Sequence, residues 1–291
     1  MSIVVGAHPQ NISLSLLARR QQASPTLREH DIRFFVYGAG SQTIQLFETG
    51  VLQFGGTGAT PPILAKSQGL GVAVVGMSDP RHERGGLLVR ADSPFHKLED
   101  LRDQGIGLMP LSWHQQFLAA ELEAAGLSWH DVVARDIIPA TAADAFIQGL
   151  LPAIVATDPL YAKIATTTPV RVLAAPGGTF SNRSVYWGRH DLLRRQPEAV
   201  RGLLHALVDS DRQVGANPQE AASLLDGLNG WSASDWLKAI QGRNWGVYPP
   251  DETFLQEQQD HADLFAHFGL IPAPIDVSDT VDASLLTALP A

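Results

Sequence analysis

Four segments of the sequence combine small or polar residues with the start of a predicted helix. They are His8-Pro9-Gln10-Asn11, Gly55–Pro61, Pro110–Gln115 and Thr157-Asp158-Pro159. A helix start leaves backbone N–H groups unpaired and carries about half a positive charge, so each segment could bind an anion. In most α/β proteins such a segment only caps a helix, and both interpretations stay open. Gly55–Pro61 favours ligand contact, because its glycines and threonines exceed what a cap requires.

Two histidines offer acid–base chemistry, since an imidazole titrates near neutral pH. His8 and His114 lie in two of the four segments, and Ser112 precedes His114. The motifs of common enzymes are missing: no G-x-S-x-G pattern surrounds Ser112, and Gly55-Gly56-Thr57-Gly58 lacks the lysine of a P-loop. His82-Glu83 lacks the second histidine of a zinc protease. His8 and His114 are therefore the catalytic candidates only if the protein is an enzyme.

The composition limits the possible partners. The chain has 291 residues, 45% of them hydrophobic and 18% charged, which suits two α/β lobes. Its net charge of −9 disfavours nucleic acids and anionic membranes, but not a small anion that feels the local field of a pocket. No apolar run approaches the roughly 18 residues of a membrane span. Without cysteine, disulfides, thiolate metal sites and thiol nucleophiles are excluded, and we expect neither a cofactor nor a metal ion.

Strand-like and helix-like patterns alternate as far as Arg189, which predicts an α/β fold with parallel sheets covered by helices. The predicted strands are 2–7, 32–37, 51–54, 71–76, 86–90, 105–109, 132–138, 152–156 and 170–174. The predicted helices in this part are 13–22, 42–48, 61–68, 98–103, 113–125, 142–148 and 160–165. Beyond Arg189 we predict mostly helix, at 198–213, 218–225, 233–241, 251–268 and 281–289. Since no linker is visible, the lobes must share the chain rather than follow one another.

Other conspicuous residues have simpler interpretations. We expect Arg81 and Arg84 to be solvated beside a loop. Trp231, Trp236 and Trp245 fall in the helical C-terminal part, where we expect them to serve as packing residues.

An ordered series of segments resembles the aliphatic sulfonate, taurine and nitrate binding proteins of ABC importers. The segments are FGGTGATPPILAKSQG at 54–69, GGLLVRADSP at 85–94, LEDL at 98–101, AAGLSWHDV at 124–132, PATAADAFIQG at 139–149, ATDPLYAK at 156–163, SNRSVYWGRHDLLRRQPE at 181–198 and EQQDHADLFAHFGLIPAPIDVSD at 257–279. No single segment is diagnostic, but their order is specific and covers nearly the whole chain.

The resemblance implies a two-lobed type II periplasmic-binding-protein fold with a hinge of two crossover segments. The first lobe would comprise residues 1–88 and 186–291, and the second residues 89–185. The ligand would lie between the lobes. The ligand-binding residues implied by the resemblance are His8, Gln10, Gly56, Thr57, Thr60, Ser112, Trp113, His114, Asp158, Asn182 and Tyr186.

The resemblance also implies a function. We expect a substrate-binding protein that delivers a small anionic organic molecule, of sulfonate type, to the permease of an ABC importer. Trp113-His114 replaces the small residues common in the family, which favours a ligand with a ring to stack on Trp113. The alternative is a cytosolic enzyme on the same scaffold, similar to the desulfinase of aromatic sulfinates, that cleaves a C–S or C–C bond with His8 and His114 instead of cysteine.

Location and assembly follow from these alternatives. The residues before Arg19 do not form a signal peptide. We expect a periplasmic protein if a signal peptide was removed, and a cytoplasmic one if Met1 is the native start. Proteins of this fold that bind one ligand are usually monomers, so we expect a monomer.

Overall fold

The computed structural model describes residues 2–81, 83–179, 181–241 and 243–286. The strands are β1 Ile3–Ala7, β2 Ile32–Val36, β3 Phe54–Thr57, β4 Val72–Met77, β5 Gly85–Arg90, β6 Gly105–Leu108, β7 Val133–Asp136, β8 Ala153–Thr157, β9 Val170–Ala174 and β10 Val185–Arg189. The helices are α1 Ile12–Arg20, α2 Pro25–Glu29, α3 Thr43–Glu48, α4 Thr60–Ser67, α5 Trp113–Ala124, α6 Pro139–Ile147, α7 Leu160–Thr167, α8 His190–Arg195, α9 Pro197–Ala216, α10 Pro218–Leu224, α11 Ala233–Ile240 and α12 Glu252–His267.

The strands form two five-stranded sheets. Sheet A has the order β2-β1-β3-β10-β4, and sheet B has the order β7-β6-β8-β5-β9. β1 pairs in parallel with β2 and β3, and β6 pairs in parallel with β7 and β8. β10 is antiparallel to both of its neighbours, and so is β5. The prediction of parallel sheets therefore holds for four strands of each sheet and is wrong for the fifth.

The two antiparallel strands are those that follow a crossover from the other sheet. The chain leaves sheet A at Met77, the carboxyl end of β4, and enters sheet B at Gly85. It leaves sheet B at Ala174, the carboxyl end of β9, and returns to sheet A at Val185. Because each crossover enters the new sheet from its carboxyl edge, the strand that follows runs against its neighbours. The carboxyl edges of both sheets thus meet at the crossovers, where open α/β sheets bind ligands.

Helices from both sides join the two lobes. α5, which connects β6 and β7 of sheet B, packs against α4 and α12, which belong to the sheet A lobe. The hydroxyl of Thr60 at the start of α4 donates to Oε1 of Gln116 in α5 at 2.5 Å. The core of the sheet A lobe includes Trp187, whose ring stacks on Phe47 with 4.3 Å between the ring centroids. The packing of α5 and the Thr60–Gln116 hydrogen bond connect the two lobes, while the Trp187–Phe47 stack belongs to one of them.

Most predicted elements form, with ends that move by one to three residues. The strand predicted at 51–54 forms instead at Phe54–Thr57, so Gly56 belongs to a strand and not to a turn. A Cβ on Gly56 would lie 2.5 Å from Nδ2 of Asn11, so only glycine lets β3 pass so close to the start of α1. Two short helices, α2 and α8, and the strand β10 were not predicted.

The C-terminal part is mostly helical, as predicted, and side-chain caps form at the starts of two of its helices. The Ser232 and Asp251 side chains accept N–H groups at the starts of α11 and α12. The prediction of a helix at 281–289 is wrong for the described residues 281–286, where only a 3-10 turn forms, at Ala283–Leu285. Residues 287–289 lie outside the described residues.

The division into a lobe of residues 1–88 with 186–291 and a lobe of residues 89–185 stays a proposal. Sheet A falls almost entirely in the first of these lobes, and sheet B falls almost entirely in the second. β5 crosses the first boundary, between residues 88 and 89. Over the part of the chain that the structure describes, every helix is too short or too polar to cross a membrane.

Candidate ligand-binding cavity

A cavity of about 400 Å³ lies between the carboxyl edges of the two sheets. Its wall combines the ends of β1 and β3 from sheet A, the ends of β6 and β8 from sheet B, and residues around α11. The predicted site residues in this wall are His8, Gln10, Thr57, Ser112, Trp113, His114 and Asp158. The predicted site residues behind the wall are Gly56, Thr60, Asn182 and Tyr186.

Gly56 and Thr60 support the wall from behind. The carbonyl oxygen of Gly56 lies 2.9 Å from Nε2 of His8 and fixes that ring. The side chain of Thr60 is fully buried, and its hydroxyl donates a hydrogen bond to Gln116. Thr60 therefore connects the two lobes and does not face the cavity.

Asn182 and Tyr186 also act through neighbours. Oδ1 of Asn182 accepts a hydrogen bond from Nη2 of Arg81 at 3.0 Å and so orients that guanidinium group. Tyr186 lies inside sheet A, paired with Gly56 of β3, and is fully buried. Burial raises the pKa of its phenol, which stays neutral.

The His8 ring is fixed by two oxygen atoms. Its Nε2 faces the Gly56 carbonyl, and its Nδ1 lies 2.8 Å from Oε1 of Gln10, which also accepts the N–H of Gly40 at 3.0 Å. Burial lowers the pKa of His8 and outweighs these hydrogen bonds, which raise it. The neutral ring carries one N–H and donates to only one of these oxygens, while its other nitrogen faces the second oxygen. Both ring nitrogens therefore lie against protein atoms.

The start of α5 brings Ser112 and His114 to the opposite wall. The Ser112 hydroxyl accepts the N–H of His114 at 3.2 Å and donates to the Met109 carbonyl at 2.7 Å, so it acts as a helix cap. Nδ1 of His114 accepts the N–H of Met109 at 3.3 Å, so the neutral ring carries its proton on Nε2. Burial lowers the pKa of His114 to about 4, against the charge of Glu83, which raises it.

Two arginines and one glutamate form the charged part of the cavity. Oε1 of Glu83 lies 3.4 Å from Nη2 of Arg243 and 3.6 Å from Nε of Arg81. The side chain of Glu83 is only 6% exposed, that of Arg243 12% and that of Arg81 11%. Burial would raise the pKa of Glu83, but the two guanidinium groups and a hydrogen bond from Thr157 outweigh it and hold the pKa below its usual value. The expectation that Arg81 is solvated is therefore wrong.

Sequence reasoning missed this cluster for a physical reason. Arg81 and Glu83 lie in the first crossover, between β4 and β5, and Arg243 follows α11 far along the chain. Only the fold brings them together. The available signal was the pair of charged residues at a crossover between two apolar strands, where a ligand cavity opens.

Asp158 and Arg84 form a second, more exposed pair. Oδ2 of Asp158 lies 3.5 Å from Nη1 of Arg84, whose side chain is 68% exposed, as the sequence predicted. Oδ1 of Asp158 accepts the N–H of Ala162 at 3.1 Å at the start of α7. Burial raises the pKa of Asp158, against the charge of Arg84, which lowers it.

Tryptophans form much of the apolar wall. Trp231 and Trp236 line the cavity while packing in the core around α10 and α11. Trp113 is only 9% exposed, and its ring lies 4.4 Å from that of His114 and 6.0 Å from that of Phe117, measured between centroids. A ligand can therefore reach only the small part of Trp113 that borders the cavity.

The buried His114 makes stability depend on pH. Its pKa falls from 6.5 in the unfolded chain to about 4 in the fold, so below pH 6.5 the unfolded state binds more protons. The resulting loss of stability should reach about 3 kcal/mol between pH 6.5 and pH 4. Urea titrations should show a smaller loss over this range for His114→Gln than for the wild type, while His205→Gln, on the exposed face of α9, should retain it. Equal losses in all three proteins would contradict the buried, neutral His114.

The sequence profile of the NMT1/THI5-like family matches residues 31–221 of this chain. The chain belongs to the NMT1/THI5-like family. A protein of Escherichia coli strain K12 named for aliphatic sulfonate binding is 25% identical over 95% of this chain and 87% of its own length. These matches confirm the resemblance seen in the sequence.

Solved structures show the fold of this NMT1/THI5-like chain. The periplasmic aliphatic sulphonate binding protein SsuA of Escherichia coli superposes with a TM-score of 0.84 at 24% identity, over 100% of this chain and 95% of SsuA. The desulfurization enzyme DSZB superposes with a TM-score of 0.68 at 18% identity, over 98% of this chain and 97% of DSZB. The predicted periplasmic-binding-protein fold is therefore confirmed. Since this fold carries both binding proteins and an enzyme, function must be argued from the cavity.

Proposed function

We propose that this protein is a substrate-binding protein for a small organic anion of sulfonate type, which it delivers to the permease of an ABC importer. One observation carries the proposal: two buried guanidinium groups, of Arg81 and Arg243, face a cavity between two lobes. The name of the Escherichia coli relative supports the same ligand class.

The charged part of the cavity suits a sulfonate. Arg81 and Arg243 share the single carboxylate of Glu83, so the three groups together carry one positive charge. A guanidinium group presents several N–H donors in one plane, and the oxygens of a sulfonate can accept them in pairs. Such charge-assisted hydrogen bonds are stronger where burial lowers the local dielectric constant, and these three side chains are at most 12% exposed.

The apolar part of the cavity suits the organic group of the ligand. Trp231, Trp236, Ile12 and Leu160 border it, and a volume of about 400 Å³ accommodates a small molecule. Burial of carbon surface there would add affinity at about 25 cal/mol per Å² before the costs of binding are subtracted.

The histidines favour binding over catalysis. Both nitrogens of His8 lie within 3 Å of oxygens of Gly56 and Gln10, to one of which the neutral ring donates, and Nδ1 of His114 accepts the Met109 N–H. The pKa of His114, at about 4, makes it a weak base at neutral pH. The alternative of a histidine-based enzyme would require these hydrogen bonds to break before either ring could take a proton from a ligand.

The remaining parts of the proposal concern partners and location. We infer a periplasmic protein that works as a monomer, since relatives named as periplasmic binding proteins share its fold. The lobes would close on the ligand by bending at the two crossovers, and a permease would recognise the closed form.

A ligand panel tests the proposal. Methanesulfonate, ethanesulfonate, benzenesulfonate, their carboxylate counterparts and nitrate should be compared by thermal shift, and each hit incubated with the protein and analysed by mass spectrometry. A ligand at about 100 times its Kd should add about 2.7 kcal/mol of stability. We expect at least one sulfonate to stabilise the protein and to be recovered unchanged. Conversion of the hit would support the enzyme instead, and stabilisation by no anion would contradict the proposed function.

A further inference from the structure

We propose that Glu83 sets the charge of the ligand, so that the cavity accepts anions with one negative charge and rejects dianions of the same shape. This inference rests on the proposed function and deepens it, because it separates sulfonates from phosphonates.

Glu83 is held in place from both lobes. Its carboxylate contacts Arg243 of the C-terminal part and Arg81 of the first crossover. The hydroxyl of Thr157, at the end of β8 in sheet B, hydrogen-bonds to it. The side chain is 6% exposed, so the carboxylate cannot turn to bulk solvent and is only weakly screened by it.

The other charged groups of the wall already have partners or are neutral. Asp158 pairs with Arg84 at 3.5 Å, and Lys163 pairs with Asp144 at 3.6 Å. Burial lowers the pKa of the two cavity histidines, which are therefore uncharged at neutral pH. Among the residues that the structure describes in the wall, the charge offered to a ligand is thus the single net positive charge of Arg81, Arg243 and Glu83.

A monoanion neutralises this charge, whereas a dianion leaves one negative charge buried and unpaired. An uncompensated buried charge is costly, and a group that can take up a proton does so instead. One additional unit charge at about 6 Å from Glu83, through an effective dielectric constant of about 20, changes affinity by roughly 100-fold. Allowing for some solvent access, we expect Glu83 to disfavour a dianion by between about 10-fold and about 100-fold relative to a monoanion.

A variant separates this role from a structural one. The affinities of the sulfonate that binds best in the panel and of the phosphonate with the same organic group should be measured by calorimetry at about pH 8.5, where the phosphonate is a dianion. In Glu83→Gln the preference for the sulfonate should shrink by about 10-fold to about 100-fold. The matched control is Glu257→Gln, which removes the same charge from an ion pair with Arg183 outside the cavity wall and should leave the preference unchanged.

The wild-type protein provides a test that needs no variant. Between about pH 5.5 and about pH 8.5 a sulfonate stays a monoanion, while a phosphonate loses its second proton. Phosphonate affinity should fall by up to about tenfold for each pH unit above the second pKa of the phosphonate. The groups that face Glu83 are Arg81, Arg243, His114 and Asp158. Taking the ratio to the sulfonate cancels the part of their titration that acts equally on both ligands, and the same ratio in Glu83→Gln shows how much of the remainder depends on Glu83.

The outcomes distinguish the inference from the proposed function. If sulfonates bind but the phosphonate dianion binds as well as the sulfonate in the wild type, Glu83 does not select for charge and the inference is overturned, while the proposed function stands. If Glu83→Gln weakens both ligands equally, its role is structural and the inference is again overturned. If no sulfonate binds the wild type, the proposed function itself fails.

Discussion

Replacement of Arg243 by methionine is expected to weaken sulfonate binding by at least about 30-fold. The reason is that removing one partner of a buried charge pair, here the guanidinium group that faces the sulfonate, typically costs about 2–5 kcal/mol of binding free energy. Methionine keeps much of the length and volume of the side chain but removes the guanidinium group. Glu83 would then neutralise Arg81 alone, and the cavity would offer no net positive charge to an anion. Calorimetric titration with the best sulfonate of the panel measures the effect.

Arg212→Met is the matched control for this variant. Arg212 pairs with Asp209 on the surface of α9, with side chains 66% and 61% exposed, and exposed pairs of this kind contribute little. Its affinity should equal that of the wild type. Unchanged affinity in Arg243→Met, with the fold intact, would mean that the anion does not bind at this cluster.

Replacement of Trp187 by alanine is expected to lower the free energy of unfolding by about 3–5 kcal/mol. Trp187 is fully buried in β10, and its ring stacks on Phe47 with an interplanar angle of 8°. Its Nε1 donates to the hydroxyl of Thr57 at 3.0 Å, so the same ring also fixes a residue of the cavity wall. Alanine would leave a large cavity and a buried hydroxyl with one partner fewer. Urea denaturation measures the loss.

Trp187→Phe separates packing from hydrogen bonding. A phenylalanine ring can still stack on Phe47 but cannot donate to Thr57, so this variant should lose only about 1–2 kcal/mol. A loss as large as that of the alanine variant would show that the hydrogen bond dominates. A loss below about 1 kcal/mol for alanine would contradict the tight packing between β10 and α3.

The alternation of strands and helices was predictable because it depends on local periodicity and caps. The helix predicted from Asp251 begins at Glu252 with Asp251 as its cap, and the helix predicted from Pro61 begins one residue earlier, at Thr60. The direction of β5 and β10 was not predictable in the same way. It follows from which edge of a sheet the crossover reaches, and that is a property of the whole topology.

The strand β3 shows how glycine can mislead. Three glycines near Thr57 predict a turn on local propensity, yet Gly55 and Gly56 lie in a central strand. The strand needs glycine there because a Cβ on Gly56 would lie within 3 Å of side-chain atoms of both Asn11 and Tyr186. Tertiary packing, which the local pattern does not contain, decides this element.

The cavity was partly predictable. Residues that follow strands, such as His8, Ser112 and Asp158, reach it because the carboxyl edges of parallel strands meet there. The charged cluster was not predictable, because Glu83 and Arg243 are distant in sequence and each alone is typical of a solvated loop. Their burial together gives the site its charge.

The central claim is that the anionic group of the ligand binds between the lobes at Arg81 and Arg243. A crystal structure of the complex with the best sulfonate of the panel tests it most directly. We expect sulfonate oxygens within about 3 Å of guanidinium nitrogens of both arginines, and the organic group against Trp231 and Trp236. A sulfonate bound elsewhere, for example in the outer groove beside His261 and His267, with the interlobe cavity holding only water, would contradict the claim.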